Sequence, residues 1–412
     1  MNEASGSAPA SGGRRVRATV DARTLRSAGI GRYLREVLAR LLTDERFGKV
    51  TLLGEPSELQ AFIEELGPRT SAISVVEHTA PMYSPSVQTG WLRLVNSRSV
   101  DADVTFFPHY DAPMLAMPSR SVVTVHDLIH FKVPEAFPIA KRVFGGWMLR
   151  RVVRQATLIL TESESTKRDL VERLPTAEAK LEVIPLGVSD FFLSQEQEQE
   201  QEQEQDESTR PVAEPYLLCV GNRKPHKNLT AAIEALGLLR SSLPRLHIVL
   251  VGKAYPGWQV VLRRAEELGV RERILDLEEV DDRMLRRLYR HCEALLFPSL
   301  YEGFGLPVLE AMACGAPVIA TTRSSVPEVA GDAAILLDPS DHAGIADAVG
   351  RLSGDAQLRR RLSERGLARA RDFSWEFAAR RTVEALHSTA SGTVAASRAP
   401  AQRSVDGAIV GA

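Results

Sequence analysis

Short apolar runs alternate with amphipathic stretches along most of this chain. The runs that predict β-strands are VRATV, KVTLLG, VTFFP, SVVTV, ATLIL and KLEVI before residue 190, and YLLCV, LHIVLV, ALLF, PVIAT and AAILL after residue 215. Such runs are typical of strands covered on both faces. Strands that alternate with helical stretches indicate βα repeats and parallel sheets. We therefore predict an α/β fold with two parallel sheets.

A run of glutamine and glutamate separates the two sets of strands. Residues 195–207 read QEQEQEQEQEQDE and contain no apolar residue, so they cannot contribute to a core. The predicted organisation is a disordered tail over 1–14, a first domain over 15–194, a low-complexity linker over 195–210, a second domain over 211–372, a closing helix over 373–387 and a disordered tail over 388–412.

Length and composition are those of a large two-domain protein. A chain of 412 residues can bury two cores, and its net charge of -2 gives no overall attraction to nucleic acid. The first residues lack the apolar core of a signal peptide, and no run reaches the ~18 apolar residues of a membrane span. We therefore expect a cytoplasmic protein without a nucleic-acid partner. The three cysteines show no CxxC spacing, which favours reduced thiols over a metal site.

The most informative segment is SLYEGFGLPVLEAMACGAPVIAT, residues 299–321. It follows the buried run ALLFP, and a helix is predicted to begin near Pro307 and to end at Gly315. Gly303 and Gly305 allow the backbone to approach a ligand, and the free amides at the helix start suit a phosphate.

Two carboxylates flank this turn, Glu302 on the loop and Glu310 on the helix. A phosphate repels a carboxylate, so both glutamates should contact neutral hydroxyl groups such as those of a sugar or a ribose. Phosphate and hydroxyl groups together describe a nucleotide sugar.

The segment EGFGLPVLEAMACG, with a glutamate, seven residues and a second glutamate, resembles the signature of the retaining group 1 glycosyltransferases of the GT-B superfamily. The resemblance is to their family 4-like, mannosyltransferase-like members. It implies two Rossmann-like domains with parallel sheets that face each other across a cleft. The first domain would hold the acceptor and the second the nucleotide sugar, at the carboxyl ends of the strands.

The resemblance also implies roles for individual residues. Lys227, and with it Arg223, would stabilise the diphosphate leaving group, while Glu302 would hold the sugar and Glu310 the ribose. His126, in SVVTVHDLIHF, resembles the family's histidine beside the donor sugar. The further residues implied in donor binding are Gly29, Gly31, Asp127, Gly221, Gly303, Phe304, Gly305 and Leu306.

The implied reaction is retaining transfer of a hexose to a glycan or lipid-linked glycan, with no cofactor and no metal. The cations Lys227 and Arg223 would stabilise the diphosphate in place of a metal ion. By analogy we favour mannose as the sugar and GDP-mannose over UDP-sugars as donor. Glu278 and Glu279 stand where relatives carry a glycine near the base, so the resemblance does not fix the base. The alternatives are a catalytically silent nucleotide-sugar-binding subunit and a GT-B epimerase.

The sequence does not decide whether the protein contacts a membrane or forms an oligomer. The basic segment KRVFGGWMLRRVVRQ, residues 141–155, suits either an anionic membrane surface or a solvated helix face. Peripheral membrane contact is thus one alternative, and the oligomeric state is not indicated.

Overall fold

A computed structural model describes residues 14–194, 211–213 and 215–393. The predicted linker over 195–210 lies outside the described residues, and so do residues 1–13 and 394–412 of the predicted tails.

The first domain contains a sheet of seven parallel strands in the order β3-β2-β1-β4-β5-β6-β7. Its strands are β1 (Val16–Asp21), β2 (Phe47–Gly54), β3 (Ala72–Glu77), β4 (Val104–Phe107), β5 (Ser121–Thr124), β6 (Leu158–Thr161) and β7 (Leu181–Val183). Its helices are α1 (Ala28–Thr43), α2 (Pro56–Glu65), α3 (Pro85–Asn96), α4 (Ile129–Lys132), α5 (Ile139–Gln155), α6 (Glu164–Arg173) and α7 (Asp190–Leu193), with 3₁₀ turns at Pro134–Ala136 and Pro175–Lys180.

The second domain contains a sheet of six parallel strands in the order β10-β9-β8-β11-β12-β13. Its strands are β8 (Tyr216–Val220), β9 (His247–Val251), β10 (Ile274–Leu277), β11 (Ala294–Phe297), β12 (Val318–Thr321) and β13 (Ile335–Leu337). The helices that follow are α8 (Leu229–Leu238), α9 (Trp258–Glu267), α10 (Asp282–His291), α11 (Leu306–Ala313), α12 (Val326–Ala330), α13 (His342–Gly354), α14 (Ala356–Ala370) and α15 (Trp375–Ser391), with 3₁₀ turns at Pro225–Lys227 and Arg271–Arg273.

Both sheets are covered on their two faces, as the unbroken apolar runs predict. In β5, the successive residues Val122 and Val123 belong to separate apolar clusters, one on each side of the sheet. Leu295 and Leu296 of β11 are divided in the same way. The prediction of two Rossmann-like domains with parallel sheets is confirmed.

Two strands were not predicted, and each lies at the edge of its sheet. Most residues of β3 are only half-buried, and Asp276 interrupts the apolar residues of β10. An edge strand is paired on one side and less covered than a central strand, so its sequence carries a weaker apolar signal. The central strands were predicted because both faces are buried, and the other two edge strands, β7 and β13, were predicted from the apolar runs KLEVI and AAILL.

The last helix returns from the second domain to the first. Helix α15 packs against α1, β4 and β5, and it ends at Ser391 rather than at residue 387 as predicted. Arg120 donates to the carbonyl of Ala390 at 2.6 Å, and Arg381 lies 2.5 Å from Glu182. The first domain is therefore completed by residues from the end of the chain. Within the described ranges, no helix has the length and apolar character needed to cross a bilayer.

Candidate functional site

The turn between β11 and α11 has the conformation predicted from its glycines. Gly305 has a φ of +109°, which a residue with a side chain rarely adopts, and α11 begins at the next residue with Pro307 in its first turn. Gly315, with a φ of +76°, follows the end of the helix. Leu306 is the first residue of α11, so the turn presents the start of this helix to the cleft.

Two serines of the next βα turn fix the backbone of this segment. Ser325 donates from its hydroxyl to the carbonyls of Glu302 and Phe304, at 3.0 and 2.9 Å. The amide of Glu302 donates to the hydroxyl of Ser324 at 2.9 Å. Phe304 is buried and its ring meets that of Phe373 edge-on. The turn is thereby held in one shape, as a phosphate-binding backbone requires.

Lys227 and Glu302 meet beside this turn. Their Nζ and Oε1 atoms lie 2.7 Å apart, and the side chains are 15% and 13% exposed. Lys227 comes from the short turn after β8, and a Cβ at Gly221 would lie only 3.1 Å from its Cε atom. Gly221, with a φ of +128°, thus leaves room for the lysine. The structure brings together these two predicted catalytic residues.

Arg223 lies in the same loop but points elsewhere. Its side chain is 1% exposed, and its guanidinium pairs with Asp276 of β10 and lies over the ring of Trp258. It nevertheless lines the same small cavity as Lys227 and Ser299. Within the described part of the chain, the Nε atom of Arg223 and the hydroxyl of Ser299 have no hydrogen-bond partner. Arg223 therefore holds the loop to β10, while its Nε–H group stays available to donate a hydrogen bond.

Glu310 is buried on α11 and is already paired. Its Oε1 atom lies 2.6 Å from Nη1 of Arg32, on α1 of the first domain, and its Oε2 atom accepts from the hydroxyl of Tyr289 at 3.0 Å. Arg32 also contacts Asp282 at 3.0 Å. Burial raises the pKa of Glu310, although the Arg32 cation and the Tyr289 hydroxyl oppose this. Sequence reasoning expected only neutral hydroxyls here and missed Arg32.

His126 is held by two acceptors in the first domain. Its Nδ1 atom contacts the carboxylate of Glu162 and its Nε2 atom lies 2.5 Å from the carbonyl of Pro108. Burial lowers the pKa of His126, but the Glu162 carboxylate and the Pro108 carbonyl outweigh it, so the pKa is raised. Two acceptors at the two ring nitrogens favour the imidazolium. Sequence reasoning missed Glu162, which lies 36 residues away and just past the end of β6.

The backbone at Gly303 touches the first domain directly. A Cβ on Gly303 would lie 2.2 Å from the carbonyl oxygen of His126 and 3.1 Å from the Cβ of Asp127. Ser163, the N-cap of α6, donates to the Gly303 carbonyl at 2.7 Å. Burial raises the pKa of Asp127. Glycine at position 303 thus permits the two domains to approach in this arrangement.

A second contact between the domains uses Glu328 on α12. Its carboxylate accepts from the backbone amides of Glu164 and Ser165, at 2.9 and 3.2 Å, in the first turn of α6. A carboxylate at the start of a helix satisfies free amides and is favoured by the helix dipole. The start of α6 is therefore tied to both α12 and the Gly303 turn.

The glycines of the first domain lie within α1 rather than before it. Helix α1 begins at Ala28, so Gly29 and Gly31 belong to its first turn. A Cβ at Gly31 would lie 2.5 Å from the carbonyl oxygen of Leu25, whereas Gly29 has no atom near that position. Gly31 therefore allows close packing against the preceding loop, and Gly29 is the glycine open to a ligand.

Comparison with protein families matches both halves of the chain. Residues 200–369 match the family described as glycosyl transferases group 1, and residues 27–190 match glycosyltransferase family 4. The O-antigen chain mannosyltransferase B of Escherichia coli is 32% identical over 281 residues, which cover 67% of this chain and 73% of the relative. The serotype-specific mannosyltransferase WbdA of Escherichia coli is 28% identical over 283 residues, 66% of this chain but only 34% of that longer relative.

Comparison with solved structures concerns the fold. The crystal structure of Anabaena HepE in complex with UDP and glucose has a TM-score of 0.68 and 20% sequence identity, and the match covers 91% of this chain and 100% of that one. The two domains therefore have the GT-B fold.

Proposed function

Because this chain belongs to the group 1 glycosyl transferases and is a hexosyltransferase, we propose that it transfers mannose, with retention of configuration, from a nucleotide sugar to a glycan or lipid-linked glycan. The observation that carries this proposal is the Lys227–Glu302 pair, 2.7 Å apart beside the start of α11. It places a cation and a carboxylate at the carboxyl ends of β8 and β11, where ligands of parallel sheets bind.

The proposed roles follow from the charges at this edge of the sheet. Lys227 and the amides after Gly303 would stabilise the diphosphate as it gains negative charge, which is the effect expected of donors fixed in advance. The Lys227 ammonium must then turn from Glu302 towards the phosphate. Glu302 becomes free to accept from sugar hydroxyls, and Glu310 from the ribose.

In the proposed reaction, the bond between the anomeric carbon and the diphosphate oxygen breaks as the acceptor oxygen bonds to that carbon from the same face. The acceptor proton passes to the departing diphosphate oxygen, so neither Glu302 nor Glu310 acts as a nucleophile. His126, fixed by Glu162 and by the Pro108 carbonyl, would lie beside the donor sugar. Closure of the domains would exclude water from the donor.

We further propose that the transfer is metal-independent and that GDP-mannose is preferred over UDP-sugars. Among the residues that the structure describes, His, Cys, Asp and Glu side chains form no group of three or more suited to a metal ion. Asp101 and Asp103, which are spaced as two acids of a metal-binding DxD sequence would be, instead pair with Arg17 near the start of β1. Mannose as the transferred sugar is supported by the similarity to two mannosyltransferases.

Donor hydrolysis across GDP-, UDP-, ADP- and dTDP-sugars, with and without EDTA, tests the proposal. We expect slow hydrolysis of GDP-mannose that is insensitive to EDTA and at least tenfold slower in Lys227→Ala. Lys224→Ala, which removes an exposed cation from the same loop, is the matched control and should change the rate less than twofold. Binding of the donor without turnover, even with glycan acceptors added, would instead identify a binding subunit.

A further inference from the structure

Helix α5 of the first domain exposes an apolar stripe to solvent. Ile139, Val143 and Trp147 are 73%, 67% and 48% exposed, and they repeat every four residues along the helix. Residues four apart lie on one face of a helix, so these side chains form a continuous surface. Large apolar side chains that are exposed together, rather than singly, usually mark an interaction site.

Arginines surround this stripe. Arg150, Arg151 and Arg154 continue the exposed face over the last turn of α5, while Arg142 and Arg173 lie beside it. Within residues 14–194, 211–213 and 215–393, none of the five has a carboxylate within 4.0 Å. Other exposed arginines of the first domain, such as Arg26 and Arg46, do pair with an acid. The face is therefore positively charged and uncompensated.

A groove joins the cations to the apolar stripe. It has a volume of about 450 Å³ and is lined by residues 131, 139, 142, 143, 146, 150 and 173. The Arg173 guanidinium lies over the Phe131 ring, 3.9 Å from its centre. Burial and the neighbouring Arg150 cation both lower the pKa of Arg173, as expected where like charges are crowded without a counter-ion.

We propose that this face of α5 docks the protein on an anionic lipid membrane, with Ile139, Val143 and Trp147 in the interface and the arginines on lipid phosphates. Lys and Arg side chains attract anionic headgroups, and tryptophan prefers the boundary between water and lipid. A nucleic acid or an acidic peptide would satisfy the arginines but would leave the apolar stripe in water. The same holds for the chain's own residues 195–207, which contain no apolar side chain.

The position of this face relative to the cleft suits such docking. Lys141, in the first turn of α5, lies close enough to Lys224 of the donor loop that the Lys224 charge lowers its pKa, after burial as the larger cause. The first turn of α5 is therefore near the donor loop of the second domain. This inference does not depend on the identity of the donor or of the acceptor.

Tryptophan fluorescence and vesicle flotation test the proposal. The other three tryptophans, Trp91, Trp258 and Trp375, are buried, so a shift in emission on adding vesicles reports Trp147. We expect a blue shift and flotation with phosphatidylglycerol vesicles but not with phosphatidylcholine vesicles, and weaker binding at high salt. The combined charge reversal R150E/R151E/R154E should weaken binding at least tenfold.

Control variants test whether binding needs this face of α5 or only exposed apolar and basic side chains in general. I139S/V143S/W147S should abolish flotation, whereas L238S/V260S, which changes exposed apolar residues of the second domain, should leave it unchanged. The charge reversal R360E/R361E on α14 should likewise have no effect. Equal flotation of wild type and both α5 variants would overturn the proposal. The proposal would also be overturned if the protein bound a double-stranded oligonucleotide through these arginines but did not bind anionic vesicles.

Discussion

Arg32 on α1 and Glu310 on α11 belong to different domains, yet their Nη1 and Oε1 atoms lie only 2.6 Å apart. Glu310 is 8% exposed, whereas Arg32 is 26% exposed and also reaches Asp282. The first domain thus supplies the counter-ion of a buried carboxylate in the second. A donor ribose at Glu310 must share this carboxylate with Arg32.

Removing this counter-ion should loosen the junction between the domains. We predict that Arg32→Ala lowers the free energy of unfolding by about 1–3 kcal/mol, because Glu310 is left buried beside Tyr289 alone. Arg26→Ala, just before the same helix, removes an exposed pair with Glu58 and should cost less than about 0.5 kcal/mol. Urea unfolding of both variants is the measurement. Equal losses would show that the contact across the cleft contributes nothing specific.

How far the sequence predicts this site depends on the separation of the partners along the chain. The glycines and Pro307 of the donor turn act locally, so their spacing was enough to predict where α11 begins and ends. Arg32 and Glu310 are 278 residues apart, and no periodicity links them. Asp276 as the partner of Arg223 depends likewise on the pairing of β9 with β10.

A methyl group at position 303 should prevent the observed approach of the domains. In Gly303→Ala the new Cβ would lie 2.2 Å from the backbone oxygen of His126, and a backbone atom cannot move aside alone. We predict at least a tenfold fall in kcat/KM and a larger radius of gyration in X-ray scattering, with little change in melting temperature. Gly350→Ala, in a helix with open space around the site, is the control and should change neither quantity. An unchanged radius of gyration would refute the steric explanation.

Asp276 should matter chiefly for stability. In Asp276→Ala the buried Arg223 guanidinium loses a carboxylate that is itself 40% exposed, which should cost about 1–2 kcal/mol of unfolding free energy. Glu272→Ala, which removes an exposed carboxylate just before β10, should cost less than about 0.5 kcal/mol. The unfolding free energies of the two variants are measured by chemical denaturation, with circular dichroism as the signal. If Asp276→Ala is as stable as wild type, the Arg223–Asp276 pair is not holding the loop to β10.

The His126–Glu162 pair predicts a dependence of stability on pH. The pKa of His126 is raised in the folded protein above its ordinary value of 6.5, so its stabilising contribution is complete below 6.5 and is lost as pH rises through the folded pKa. Unfolding free energies measured from about pH 6 to pH 9 should therefore fall in this window. Glu162→Gln removes the carboxylate and should flatten that fall. Identical pH profiles for the two proteins would contradict the assignment.

The return of α15 means that the first domain is discontinuous in sequence. Residues from the end of the chain cover α1, β4 and β5, and Thr382 places its hydroxyl 3.4 Å from that of Tyr33. A chain that stops at Phe373 would keep every strand of both sheets yet lose a layer from the domain that is synthesised first. That domain can therefore reach its final form only after residues 375–391 have been synthesised, and a fragment over 14–194 should require residues 375–391 in trans to become fully protected from proteases.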